Sequence, residues 1–301
     1  MAKVERSLGE KLQSLPKPVL YTILILVTSI PQFFPVPLPN KESKSSEDVF
    51  NLLTTIPEDQ PVLIGSDWTN STRGESGGLF KSMIRILMRR NIKFAIYTTA
   101  DPQAPQVAKD VIRLLNEERK ANNQKPYEVW TDWVSVGYFA NPEGTANSIN
   151  NNVRAAFADK KSPDAAGAMK PVMDSPVLAN VKQVSDFSAL VLVTASNTSN
   201  VTIERVTKTK LAMMVTGVMG PETQVYYESG QLKGLAIGLK GCYDLETMMA
   251  KKWPGKEYVN MDNGAKYYPT LHLALLLLIL AVVAGNVGMF MTRKRTVQRG
   301  S

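Results

Sequence analysis

The run Gly65-Ser66-Asp67-Trp68-Thr69-Asn70-Ser71-Thr72-Arg73-Gly74-Glu75-Ser76-Gly77-Gly78 concentrates the side chains whose type and spacing could do chemistry. Hydroxyls at Ser66, Thr69 and Ser76, a guanidinium at Arg73 and a carboxylate at Asp67 alternate with glycines. Glycines let backbone N–H groups approach a ligand closely. Such a set can hold an anion or a polar headgroup, with Asp67 as an alternative ligand for a metal ion or a proton. It is not a phosphate loop of either common kind, because it lacks the Gly-Lys-Ser/Thr ending and does not spell G-x-G-x-x-G. The competing reading is a solvated loop that caps a helix or docks on a neighbouring subunit.

Residues 74–78 do spell G-x-S-x-G, the pattern of a nucleophile elbow. An elbow places its serine on a sharp strand-to-helix turn, and here several loop residues intervene. It also needs an acid-base partner, yet the only histidine, His272, lies in an apolar run near the carboxyl end. A Ser-Lys pair built on Ser76 is the one hydrolytic arrangement left. The chain is therefore expected not to be an enzyme. The single Cys242 excludes an internal disulfide, and no Cys/His cluster is spaced for zinc, so neither a metal nor a cofactor is expected.

The elements that must position this loop follow from hydrophobic periodicity. Residues 61–68 predict a buried strand, 79–91 a helix with Leu79, Met83, Ile86 and Leu87 on one face, and 92–99 a second strand. Residues 106–122 predict an amphipathic helix, 127–138 a third strand, 148–158 a short helix, 189–196 a fourth strand and 210–219 a fifth. Alternation at this spacing implies an α/β fold: a Rossmann-like, mainly parallel sheet with helices on both faces. Loops following strands then gather on one rim, so 137–145 and 196–200 are expected beside the 65–78 loop. Residues 162–177, rich in small residues, proline and methionine, break the rhythm and read as a surface excursion. Its Met169 and Met173 are candidates to lie on a partner or a membrane surface.

Gly230, Gly234 and Gly238 recur every four residues, with Gly241 close behind. If this segment is helical, they line one face and form a candidate helix-helix interface. Close packing on the chain's own sheet, or a segment that is not helical, are the alternatives.

At the ends the composition changes. Residues 271–291 run without a formal charge, which is the length needed to cross a hydrocarbon core of ~30 Å as a helix. Tyr267 and Tyr268 precede them, and Arg293, Lys294 and Arg295 follow. A second apolar run begins at Val19, and Pro31, Pro35, Pro37 and Pro39 predict an extended end for it. A cleaved signal peptide competes with an uncleaved anchor there, but no small-x-small cleavage site is evident. The expected organisation is a cytoplasmic amino-terminal segment (1–18), transmembrane anchor (19–38), polar linker (39–48), soluble α/β domain (49–269), transmembrane helix (270–292) and basic cytoplasmic tail (293–301).

The formal charge of +8 comes largely from those two ends. With the middle nearly neutral, nucleic acid is not an expected partner. Positive flanks stay inside, which puts the α/β domain outside the cytoplasm, in a setting expected to be a bacterial cytoplasmic membrane. The expected partners are the lipid bilayer and other membrane-protein subunits, in a homo- or hetero-oligomer. The expected role is a non-catalytic subunit or scaffold of such an assembly. The alternatives are a polar-ligand-binding receptor or transporter accessory domain, and a membrane-bound hydrolase or transferase.

Overall fold

The computed structural model describes residues 7–14, 16–34, 36–254 and 261–299. The chain divides into two compact units: Asn40–Gly264, and a second unit drawn from both ends, Met1–Pro39 with Ala265–Ser301.

In the second unit, α1 (Leu8–Gln13) and α2 (Lys17–Phe33) accompany the long α11 (Asn263–Arg299). Gln32 Nε2 donates to Thr270 Oγ1 at 3.0 Å, and Gln13 Nε2 donates to Thr292 Oγ1 at 2.8 Å. These contacts, one at the end of α1 and one at the end of α2, make the α1–α2 segment run antiparallel to α11. Gly9 and Gly288 let the backbones meet, since a Cβ on Gly288 would fall 2.7 Å from the Gly9 carbonyl oxygen. Among the described residues only α11, over Asn263–Arg293, is long and apolar enough to cross a membrane by length and composition; α2 is a shorter apolar helix. Pro31 lies inside α2 rather than ending it. Its missing N–H and the ring's clash with the Val27 carbonyl fall in the last turn, and the helix closes two residues later at Phe33. Pro35 lies outside the described residues.

In the Asn40–Gly264 unit, α3 (Lys44–Thr55) precedes β1 (Val62–Asp67), α4 (Gly78–Arg89), β2 (Phe94–Thr98), α5 (Ala104–Ala121) and β3 (Trp133–Tyr138). Next come α6 (Pro142–Asn151), α7 (Val153–Ala156) and a hairpin of β4 (Lys161–Pro163) and β5 (Met169–Pro171). The chain continues through β6 (Ala189–Thr194), α8 (Asn200–Arg205), β7 (Leu211–Val215), α9 (Gly220–Glu228), β8 (Leu235–Ile237) and α10 (Gly238–Lys252). Six strands form one sheet in the order β3-β2-β1-β6-β7-β8, with every pairing parallel.

Both faces of this Rossmann-like sheet are covered, so its strands are mostly apolar, with polar residues gathered towards their carboxyl ends rather than alternating. The alternation shows in where they point. Val62, Ile64, Val191 and Val193 pack with Phe80, Met83, Leu87 and Leu245, while Leu63, Leu190, Leu192 and Met213 pack with Ile149, Phe157 and Ile203.

Several expectations change here. Residues 39–48 are not a plain tether, because Lys44 opens α3, and Ser43 Oγ caps it by accepting from Ser46 N. Asp244 of α10, with no exposed surface, accepts from Asn40 Nδ2 at 3.0 Å and from Ser43 N and Ser43 Oγ, each at 3.1 Å. Glu246, equally buried, accepts from Asp262 N at 2.8 Å and Gly264 N at 2.9 Å. One helix thus fastens both ends of the unit through two buried carboxylates.

The four spaced glycines do not share a helix face. Gly230 follows α9 with φ +78°, Gly234 precedes β8, and Gly238 and Gly241 begin α10, Gly238 with φ +53°. Positive φ and close approach, rather than a groove, account for all four. A Cβ on Gly234 would sit 2.6 Å from Val49 N, and one on Gly241 2.8 Å from the Ala236 carbonyl carbon. Residues 162–177 are partly built in: Ser162, Val172 and Val177 are buried, Met173 packs against the core, and Met169 is exposed.

Candidate ligand site at the carboxyl rim of the sheet

Strand order reverses beside β1. The chain leaves β1 for β2 and β3 on one side, then returns to β6 on the other, and the crevice beyond the strand ends at such a reversal is where open α/β sheets hold ligands. A cavity of about 470 Å3 lies there, bordered by Ser71, Thr72 and Glu75 after β1, Asn197 after β6, and Thr216 and Val218 after β7.

The loops around it are tied together by Asp67, which is not itself in the lining. This carboxylate is 3% exposed and ends β1. Oδ1 accepts from Thr98 Oγ1 at 2.8 Å, Thr99 N at 2.7 Å and Ala100 N at 3.3 Å. Oδ2 accepts from Ser199 Oγ at 2.8 Å and Thr99 Oγ1 at 3.2 Å. Ser199 Oγ also lies 2.8 Å from Thr194 Oγ1. The carboxylate therefore ties together the loops following β1, β2 and β6. A group already receiving five hydrogen bonds offers little to a metal or a proton in transit. Next to it, burial and then the Asp67 charge push the Tyr97 hydroxyl well above the ordinary phenol range, so it remains neutral.

After β1 the backbone winds through a 3-10 turn (Asn70–Thr72) and a π-helical turn (Arg73–Gly77) before α4. The wide π turn brings Glu75 across the rim, where its Oε2 accepts from Gly217 N at 2.7 Å. Gly238 packs on the same oxygen, which a Cβ there would approach to 3.1 Å. Glu75 thereby links the loops around β1, β7 and β8.

The 65–78 and 196–200 loops both reach the cavity, as expected, but Ser66, Asp67, Thr69, Arg73 and Ser76 do not border it. Ser66 and Ser76 are wholly buried, and their Oγ atoms have no hydrogen-bond partner among the described residues. Thr69 Oγ1 pairs with Ser71 Oγ at 2.9 Å. Arg73 is exposed and outside the lining, and no cation is in the lining at all. The segment 137–145 ends the edge strand β3, two strands from β1, and does not join the cavity. The 65–78 loop reaches the cavity through other side chains than those five, because strand alternation stops at Asp67 and the following turns re-aim the residues after it. Glu75 was legible only as a carboxylate within a glycine-rich turn. Thr216 and Val218 were hidden in the overextended fifth strand.

What the cavity can do is bind a neutral or hydroxylated group. It offers hydroxyls, one amide, one carboxylate already engaged on one oxygen, and the apolar Val218, which is 93% exposed. Among the described residues no group of histidine, cysteine or carboxylate side chains is arranged for a metal ion. Compared with protein-family models, with curated proteins and with solved structures, the chain finds no significant match.

Proposed function

We propose that the chain is a membrane-anchored, non-catalytic α/β subunit or scaffold of an oligomeric membrane-protein assembly, with the Asn40–Gly264 unit outside the cytoplasm and both termini inside. The observation that carries this reading is the surface of α11. Leu278, Ile279, Val282 and Phe290 are each more than half exposed, in a helix of spanning length. A continuous apolar surface of that size is not stable in water and has a natural solvent in lipid.

The antiparallel packing of α2 on α11 supports a second crossing. The α2 helix is 17 residues long, short of the usual ~20, and Phe34 beyond its end is extended. Arg293 to Arg295 at one end of α11, with Lys11 and Lys17 at the matching end of the α1–α2 segment, supports placing that end in the cytoplasm. Protease added outside spheroplasts is expected to digest residues 41–269 and spare the carboxyl tail. Digestion of the tail, with the rest protected, reverses the orientation.

A second reading, a domain that binds a neutral polar ligand, rests on the cavity at the strand-order reversal. The hydrolase reading gains no support, since Ser76 is wholly buried and the Asn40–Gly264 unit contains no histidine.

A further inference from the structure

Polar side chains in the helical unit find partners close at hand. Thr22, Thr28 and Ser29 donate to the carbonyls of Pro18, Leu24 and Ile25, and Thr292 to that of Met289. Gln32 pairs with Thr270. Asn286 is different: its side chain is exposed, and it makes no hydrogen bond among the described residues.

Its place on the helix is as informative as its lack of a partner. Gly288, buried against Gly9, marks the side of α11 that meets the amino-terminal segment. Two residues away is about 200° around a helix, so Asn286 points to the opposite side. On that side Leu275, Ile279, Val282, Asn286 and Met289 are separated alternately by four and three residues, and all five are exposed. A repeat averaging 3.5 residues is the pattern of a helix seam that packs against another helix, with Asn286 at the kind of position where one buried asparagine fixes register.

We infer that this seam joins two copies of the chain through parallel α11 helices, with the two Asn286 amides hydrogen-bonded to each other across a two-fold axis. The inference rests on α11 spanning the membrane. Lipid provides neither donor nor acceptor, so an outward amide in the hydrocarbon needs a protein partner. An amide carries both a donor and an acceptor, so the same residue on a second copy is a complementary partner. A symmetric contact places like against like, as this requires. The α2 helix packs on the other side and leaves the seam free.

The test uses the full chain carrying Cys242→Ser, in isolated membranes washed with alkaline carbonate. Single cysteines replace Ile279, Val282 or Met289 on the seam, and Leu280 or Val287 off it. Oxidation is expected to give disulfide-linked homodimers from the first three and few from the last two. Asn286→Leu is expected to weaken dimerisation in detergent about 3- to 20-fold, the span of measured interhelical hydrogen bonds, while Asn286→Gln retains most of it. Release of the chain by carbonate would show that the span reading itself fails. A chain retained in the membrane but cross-linked without periodicity, cross-linked to an unlike protein, or indifferent to Asn286→Leu would overturn the seam alone.

Discussion

The α/β unit and the helical unit place the same residue types in opposite ways. In Asn40–Gly264, valines, leucines and isoleucines from the strands are buried almost without exception, and the carboxylates of Asp67, Asp244 and Glu246 are buried only where several donors meet them. In α2 and α11 the same aliphatic residues face outward, and the polar side chains are drawn to backbone carbonyls or to the neighbouring helix. The difference teaches that the two units must be judged by different rules. Single exposed aliphatics such as Val218 occur in the first, whereas in the second they run continuously along α11. An unpartnered amide is tolerable on a wet surface and costly in hydrocarbon.

The sharpest way to break the α/β side of this comparison is Asp67→Ala. It leaves Thr98, Thr99 and Ser199 facing an empty acceptor site at the junction of three strand ends. Buried donors stripped of their partner cost about 1–3 kcal/mol each. A loss of roughly 3–5 kcal/mol in unfolding free energy is expected for the isolated Asn40–Gly264 segment or the detergent-solubilised chain, read by chemical denaturation. A loss under about 1 kcal/mol would mean that the carboxylate is not the staple its geometry implies.

The next effect concerns close approach. Gly234 admits the backbone of Val49, so Gly234→Leu must push α3 away from β8; overpacking of this kind typically costs about 1–3 kcal/mol. The expected signature is a lower melting temperature with unchanged oligomeric state. If instead the complex dissociates and the melting temperature holds, Gly234 belongs to a subunit interface, as its spacing with Gly230 and Gly238 first implied.

That pair of outcomes also marks where the sequence was readable. Strands β1, β2, β6 and β7 and helices α4 and α5 were legible because continuous apolar runs and a 3.6-residue period leave few alternatives for segments of that length. Short β8 was not, since Leu235–Ile237 is three residues between glycines and carries no period to detect. Gly230, Gly234 and Gly238 matched a helical spacing by coincidence: a turn, a strand start and a helix start each required glycine for its own local reason. The rim was legible as a location, through the rule that ligands bind beyond strand ends. Its side chains were not, because the 3-10 and π turns after Asp67 set directions that no simple period encodes. Asp67 itself looked like a free ligand because its donors come from residues more than thirty positions away or more.

The smallest expected effect sharpens the comparison from the other direction. Ser76 is wholly buried in the π-helical turn before α4, and its hydroxyl has no hydrogen-bond partner among the described residues, unlike the carboxylate of Asp67. A buried hydroxyl that makes no bond contributes nothing through hydrogen bonding and retains its desolvation cost, so deleting it removes a penalty along with a little packing volume. Ser76→Ala is therefore expected to change unfolding free energy by no more than about 0.5 kcal/mol in either direction, the range of substitutions that remove no specific interaction. The measurement is a denaturation curve of the variant beside the parent, with an equal slope confirming that the same surface is exposed on unfolding. A destabilisation above about 1.5 kcal/mol would mean that the hydroxyl is paired in solution. It would then belong with Asp67 among the polar groups that organise the rim, and the 74–78 loop would need to be redrawn around it.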